Sequence, residues 1–353
     1  MEQYIRRCFQ LARLGAGHVS PNPLVGAVVV HADRIIGEGW HRRYGEAHAE
    51  VNALQAVAEA DRHLIPHSTL FCNLEPCFHF GKTPPCVDLI LKEKIPRVVV
   101  SNTDPNPLVA GQSIQKLRAA GVEVHAGILE AEGRYLNRAF FTWIEKKRPH
   151  IILKWAQSAD GYLGRQGERT AITGSLAQRL VHRRRSEADA ILVGTTTALV
   201  DNPRLDNRLY FGKSPLRIAL DFAGKIPPTA HLLDDSRPTW IIGPRRGGTY
   251  RETQFLTPPE TSGWILWLLE NLAQEKHAIL LVEGGANVLR QFLEAGLWDE
   301  ILLLENPQFL HRGVLAPSLP EEAHLVETGR IGDDCFRLAL RDMKKVSQRL
   351  TEA

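Results

Sequence analysis

Cysteine is scarce in this chain, with five among 353 residues. That excludes the disulfide framework of a small secreted domain and leaves the thiols free or metal-bound. Long apolar runs are missing as well. The longest, residues 24–30 and 264–269, are strand- or helix-sized, well short of the roughly 18 residues that span a bilayer. The first fifteen residues carry Glu2, Arg6, Arg7 and Arg13 and no apolar core, so a signal peptide is not expected. Charge of one sign is not in excess either. Lys plus Arg number 43 against 40 Asp plus Glu, a net +3, too little for the basic face that nucleic acid requires. Aromatic residues make up 7% and offer no interleaved stacking surface for single strands. A soluble cytoplasmic protein is expected, with no nucleic-acid and no membrane partner. Oligomeric state is open, a homo-oligomer included.

What is present is ordinary globular material, 44% hydrophobic and 24% charged, which suffices for a core. At this length two domains are expected. Ile5, Cys8, Phe9 and Ala12 recur at helical spacing. Residues 24–30 and 34–40 read as a hairpin with its turn at 31–33. Helices are expected over 47–60, 85–94, 112–120 and 130–143, and strands over 69–74, 97–102 and 122–125. A helix, a hairpin and then alternating strands and helices make a three-layer α/β domain. The charged stretch IEKKRPH, 144–150, reads as a linker, dividing the chain into domains 1–146 and 147–353. Beyond it the pattern restarts. Strands are expected over 151–156, 188–193, 216–220, 239–242, 278–283, 300–304 and 336–340, and helices over 175–185, 266–274 and 287–295. Polar loops surround 203–215, 227–238 and 244–259. This is a second α/β domain.

Against the scarcity of cysteine, His48, Glu50, Cys77 and Cys86 stand close together. Zinc takes histidine nitrogen and cysteine sulfur in tetrahedral sites, and a catalytic site keeps one position open for water. His48, Cys77 and Cys86 supply three ligands. Glu50, two residues beyond His48, can move protons without binding the metal. Cys86 follows Pro84-Pro85 at an expected helix start, where the helix dipole favours thiolate. H-x-E followed by P-C-x-x-C is the signature of zinc nucleobase deaminases. Here eight residues separate the two Cys, which means a larger loop over the site or a replacement ligand such as His79. His41 and Glu46 read as surface groups, and Cys8, Cys72 and Cys335 as buried apolar residues.

In the second half, Val282-Glu283-Gly284-Gly285-Ala286-Asn287 leaves an expected strand and opens an expected helix. Paired glycines at such a turn let backbone N–H groups meet an anion. The run 191–197, ILVGTTT, empties a strand into hydroxyls and leads to Asp201, Leu205 and Arg208. Neither a G-x-G-x-x-G nor a Walker A loop occurs.

These pieces carry a resemblance. SPNPLVG at 20–26, His48-Ala49-Glu50, Leu74-Glu75-Pro76-Cys77, GKTPPC at 81–86 and DPNP at 104–107 resemble the deaminase half of the bifunctional riboflavin-biosynthesis deaminase-reductases. In that family the long gap between the two Cys is normal. The C-terminal pieces resemble its reductase half. The resemblance implies an α/β fold class: an N-terminal three-layer cytidine-deaminase-like domain and a C-terminal dihydrofolate-reductase-like α/β domain. It implies Zn2+ on His48, Cys77 and Cys86, a proton carried by Glu50, and release of ammonia from a pyrimidine ribotide lying near Asn22 and Lys82. It further implies that NADPH reduces the sugar to a ribityl chain. Gln157, Ala171, Thr197, Asp201, Gly284, Gly285, Ala286 and Asn287 would meet that cofactor. Arg169, Arg185, Leu205, Arg208 and Glu283 would meet the substrate. The chain departs from the family twice. Ala171-Ile172-Thr173 stands where the family has Trp-Ile-Thr, which predicts a missing aromatic wall and a weaker reductase. Asn306-Pro307-Gln308 replaces a Pro-Lys motif. Two other readings compete: a tRNA or DNA base deaminase, and a ligand-binding module whose zinc is structural, with His79 as fourth ligand.

Overall fold

The computed structural model describes residues 1–78, 84–107, 109–244 and 247–341. His79 and Lys82 lie outside the described residues. The chain divides into two units, one of them Met1–Lys147 and the other beginning at Arg148.

The first unit runs α1 (Glu2–Arg13), β1 (Gly26–His31), β2 (Arg34–Trp40), α2 (Ala49–Gln55), a 3-10 helix (Glu59–His67), β3 (Thr69–Leu74), α3 (Cys86–Lys92), β4 (Arg97–Asn102), α4 (Gln112–Ala119), β5 (Glu123–Ala126), α5 (Glu130–Leu136) and α6 (Arg138–Lys146). Its sheet has the order β2-β1-β3-β4-β5. β1 pairs antiparallel with β2 and β3, while β3, β4 and β5 are parallel. Successive side chains of a strand point to opposite faces. Ala27 and Val29 therefore join the core under α2, α3 and α4, while Val28 and Val30 join a second core with Ile5, Cys8 and Phe9 of α1. Both faces are covered, which is why β1 reads as an unbroken apolar run.

The second unit runs β6 (His150–Ser158), β7 (Tyr162–Gly164), α7 (Ser175–Glu187), β8 (Ala190–Val193), α8 (Thr195–Asp201), β9 (Leu216–Leu220), a 3-10 turn (His231–Leu233), β10 (Thr239–Ile242), β11 (Thr253–Leu256), α9 (Trp264–Gln274), β12 (Ile279–Val282), α10 (Ala286–Glu294), β13 (Glu300–Asn306), β14 (Val314–Leu315), β15 (His324–Ile331) and β16 (Asp334–Leu340). Nine strands form one sheet, β11-β10-β9-β8-β12-β6-β13-β16-β15. It is parallel except at β13, β16 and β15, which pair antiparallel. Leu280 and Val282 face one core and Leu281 the other. This unit is likewise a covered sheet.

Three expectations need correction. The helix expected over 130–143 is two helices, broken at Asn137. The stretch 144–150 is mostly not a linker, because α6 runs to Lys146 and β6 begins at His150. The helix expected over 47–60 stops at Gln55. Cys8 and Cys72 are buried as expected, while Cys335 is only partly so.

Candidate active sites

In the first unit, His48 is the N-cap of α2 and Glu50 lies in its first turn. α3 begins at Cys86, directly after Pro85, where a missing N–H costs the helix nothing. Cys77 sits on the segment leaving β3. His48 Nδ1 lies 3.4 Å from Cys77 Sγ and 3.4 Å from Cys86 Sγ, and all three donor atoms lie within 4.8 Å of one another. The Cys86 N–H donates to Cys77 Sγ at 3.2 Å. Hydrogen bonding from the Cys86 side chain draws the Cys77 thiol below its ordinary range, and the same contact holds Cys86 up. The bond to Cys77 raises His48 to about 8. The cluster thus already holds thiolate charge aimed at one point. Two sulfurs and one nitrogen fit zinc and would supply three of the four ligands it takes.

Glu50 is 3% exposed, and burial raises its pKa above the usual carboxylate value. Its Oε2 has no hydrogen-bond partner among the described residues. A buried carboxyl with an unbonded oxygen is equipped to take up and return a proton. Glu50, His48, Cys77 and Asn22 line one cavity of about 410 Å³, shared with His41 and Trp143. His41 corrects the sequence reading. It is 3% exposed, not a surface group. Its Nδ1–H donates to the Ala47 carbonyl at 3.1 Å, which leaves Nε2 to accept from Asn22 Nδ2 at 3.2 Å. Burial lowers its pKa, so the ring is neutral.

Side chains not singled out in the sequence brace the segments around the cavity. Asn137 brackets Leu24, accepting its N–H at 2.8 Å and donating to its carbonyl at 2.9 Å. Asn73 accepts the Gly26 N–H at 2.7 Å and donates to the same carbonyl at 2.9 Å. The buried Glu75 carboxylate accepts N–H bonds from Asp104, Gly111, Ser113 and Ile114, all between 2.9 and 3.3 Å. It fixes the loop carrying Asp104 and Asn106, which also line the cavity, and bonds the first turn of α4.

A second cavity, of about 450 Å³, lies in the other unit. Thr197, Asp201, Gly285, Ala286 and Asn287 line it, together with Arg165. It sits where β8 and β12 deliver the starts of α8 and α10. The close approach of these two turns requires glycine. A Cβ on Gly194 would lie 2.7 Å from Val288 Cγ2, and one on Gly285 3.0 Å from Thr197 Oγ1. Gln157, Ala171 and Gly284, also expected at cofactor, do not line this cavity. Gln157 instead donates to Glu305 Oε2 at 3.2 Å. Arg169 lies close enough to Asp201 for its charge to oppose the rise that burial imposes on that carboxyl.

The expected substrate residues assemble beside each other but satisfy one another first. Arg185 Nε and Nη2 bond Glu283 bidentately, both at 2.8 Å, and Nη1 donates to the Asp206 carbonyl at 3.1 Å. Lys154 Nζ stands 3.9 Å from Glu283 Oε2. Against desolvation, these two cations bring Glu283 down to about 2. Arg208 pairs with Asp206 at 2.6 Å. Both arginines thus already hold a carboxylate partner. Leu205 is 1% exposed and packs in a core cluster, so its side chain is taken up by the core.

Comparison with known proteins assigns a family to each unit. A family model described as the cytidine and deoxycytidylate deaminase zinc-binding region matches residues 1–102. One described as the RibD C-terminal domain matches 149–349. The riboflavin biosynthesis protein RibD of Aquifex aeolicus is 39% identical over 322 residues, covering 89% of this chain and 88% of that protein. RibD of Bacillus amyloliquefaciens is 40% identical over 329 residues, covering 90% and 87%. A Thermotoga maritima crystal structure, titled a diaminohydroxyphosphoribosylaminopyrimidine deaminase/5-amino-6-(5-phosphoribosylamino)uracil reductase, superposes with a TM-score of 0.87. It is 33% identical, with 96% of this chain and 98% of that one covered. With the zinc-ligand cluster in one unit and the glycine-turn cavity in the other, the chain belongs to the RibD family of riboflavin biosynthesis, bifunctional deaminase-reductases.

Proposed function

We propose that the first unit hydrolyses the amino group of a 2,5-diamino-6-ribosylamino-pyrimidinone 5′-phosphate and that the second reduces the ribosyl group of the product to ribityl with NADPH. The observation that carries the first half is the convergence of His48, Cys77 and Cys86 donor atoms, with His48, Cys77 and the buried Glu50 lining one cavity. His48 Nδ1, Cys77 Sγ and Cys86 Sγ would hold zinc, which supplies Lewis acidity that makes water nucleophilic at neutral pH. Glu50 takes up at its free oxygen the proton that the attacking water gives up and delivers it to the departing amine, so that the ring carbon gains oxygen from water and nitrogen leaves as ammonia. Asn22 and the neutral His41, bonded to each other, present polar edges to a flat heterocycle. Lys82 is the phosphate partner assigned from the sequence.

In the second unit the cofactor supplies hydride. Gly285 and the start of α10 form part of the cavity wall, where the backbone N–H groups of a helix start are apt for the cofactor's phosphates. Lys154, Arg185 and Glu283 form a buried group with one positive charge in excess, which suits an anionic ribotide. The small net charge speaks for a small-molecule substrate over nucleic acid. Among the described residues no helix is long and apolar enough to cross a membrane. With five unpaired cysteines, the cytoplasm is the compartment we assign.

The test records ammonia release and NADPH oxidation together, on purified protein given the diaminopyrimidinone ribotide. Ammonia without NADPH, then stoichiometric oxidation once NADPH is added, is the expected result. No ammonia from zinc-replete protein would sink the deaminase reading. Glu50→Gln is expected to keep its zinc and lose deamination by about 10²–10⁴-fold. Near-normal deamination in that variant would remove Glu50 from the role.

A further inference from the structure

The loop from Arg165 to Thr170 forms one side of the second cavity. Arg165 and Thr170 line it, and Thr170 Oγ1 accepts the Arg165 N–H at 2.9 Å, closing the loop between them. The segment then runs past Ala171 to α7. Ala171 has no side chain with which to brace it, so its position is set from outside. Gln308 Nε2 donates to the carbonyls of Ala171 at 3.2 Å and Ile172 at 3.0 Å. The Gly174 N–H donates to Asp334 Oδ2 at 2.8 Å, and the other oxygen of Asp334 accepts from Asn306 Nδ2 at 2.8 Å. Asn306 Oδ1 accepts the Gln308 N–H at 3.1 Å. Gln178 adds a longer contact of 3.4 Å to the Thr173 carbonyl.

The clamp is itself anchored. The Ala159 N–H donates to the Gln308 carbonyl at 2.9 Å. The Asp160 carboxylate accepts N–H bonds from Leu310 at 3.1 Å and His311 at 2.7 Å. Gln308 is thereby tied to the turn between β6 and β7, and β7 contributes Leu163 and Gly164 to the same cavity. Two segments of the wall are thus held in register through one residue. Asn306 and Gln308 belong to the stretch where the sequence departs from its family, and they brace the other departure, Ala171.

We infer that Gln308 is a positioning residue of the reductase, its carboxamide fixing the segment 171–174 and through it the adjoining cavity-lining loop that ends at Thr170, against which cofactor binds. The inference rests on reading this cavity as the NADPH site. Two carbonyl oxygens converge on one Nε2, whose two protons serve one each. An ammonium can do the same. A carboxylate cannot, since it would set unprotonated oxygen against two carbonyls.

The test measures NADPH oxidation by the full-length protein on the deaminated ribotide at varied NADPH, for wild type, Gln308→Ala, Gln308→Glu and Gln308→Lys. Ammonia release by each protein is the internal reference. Gln308→Ala is expected to raise KM for NADPH about five- to tenfold, the effect of losing two neutral hydrogen bonds, with kcat changed less than about twofold. Gln308→Glu should be at least as impaired, and Gln308→Lys should return to within about twofold of wild type. Ammonia release should be unchanged throughout. A wild-type KM in the Ala and Glu variants overturns the inference. Equal losses of both activities in all three variants overturn it too, because they mark a residue needed only for folding. A wild-type protein that releases ammonia yet oxidises no NADPH refutes the cofactor reading underneath, a result distinct from either.

Discussion

Glu75 touches no donor atom of the zinc-ligand cluster, yet more backbone hangs on it than on any of those ligands. Its two oxygens take four N–H groups from the chain between Asp104 and Ile114. Hydrogen bonds to a charged acceptor are worth more than neutral ones, and a buried donor left alone costs its desolvation. Glu75→Ala is therefore expected to lower stability by on the order of 3 kcal/mol. It should also slow ammonia release, because Asp104 and Asn106 lose their support. Glu75→Gln keeps one acceptor oxygen and should fall between. Thermal unfolding and ammonia assays check both, and an unchanged melting temperature in Glu75→Ala would refute the role. His182 makes a pH prediction. Burial, then the charges of Arg185 and Arg208, depress it to about 4, and its Nδ1 accepts the Arg208 N–H at 3.1 Å. The unfolded chain binds that proton near pH 6.5, the folded one only near pH 4. The stability it contributes is thus complete above pH 6.5 and lost as pH falls through about 4. Between pH 7 and 4, wild type should lose more unfolding free energy than His182→Gln, by on the order of 3 kcal/mol. Equal slopes for the two proteins would remove His182 as the cause. Neither residue was legible as important. The carboxylate and its donors are 29 to 39 positions apart, and His41 looked superficial because Asn22 is 19 positions away. The zinc ligands were legible because their chemistry is rare in a chain with five cysteines.

Elements place these residues, and one contact between elements governs the metal cluster. α2 lies on β2 at Gly37 and Gly39. A Cβ on Gly39 would come within 2.3 Å of Ala53 N and 2.7 Å of Ala49 O. Those atoms are helix backbone and cannot step aside, so Gly39→Ala must push the helix off the sheet. His48 and Glu50, at its first turn, move with it. A cost of about 1–3 kcal/mol and a disproportionate loss of ammonia release are expected. Zinc analysis and calorimetry on the variant decide the matter: normal metal content and normal rate would show that the helix does not shift. Hydrophobic periodicity found most of the elements in this unit, because β-branched runs and Ala-rich stretches point to strand and helix in their own right. It failed where a side chain overrides the local pattern. The residues 130–143 have helical spacing throughout, but Asn137 is drawn to the Leu24 backbone and the helix breaks there. Residues 144–150 look like a linker by charge, yet Ile144 lines the cavity from α6. In the second unit, α8 went unrecognised because its TTT start reads as a loop, and β15 because its alternation is weak, with most of its residues exposed.

At the scale of the whole chain, each unit buries its own apolar clusters, residues 4–124 in one and 151–339 in the other. Each also owns every described residue of its candidate site. The zinc ligands and Glu50 lie in Met1–Lys147, and the glycine turn, Arg185 and Glu283 lie beyond Arg148. Perturbations at sites that share no partner should add without coupling. Removing metal with a chelator is therefore expected to abolish ammonia release while NADPH oxidation on the deaminated ribotide keeps its wild-type KM and kcat. Restoring zinc should return the first activity alone. The full-length protein, supplied in turn with the amino and the deaminated ribotide, gives both readings from one preparation. The glycine turn at 284–285 carries no cysteine and no zinc ligand, so the reductase has no chemical reason to respond. A reductase that fails when zinc is stripped would mean that the first unit contributes something to the second cavity beyond its product.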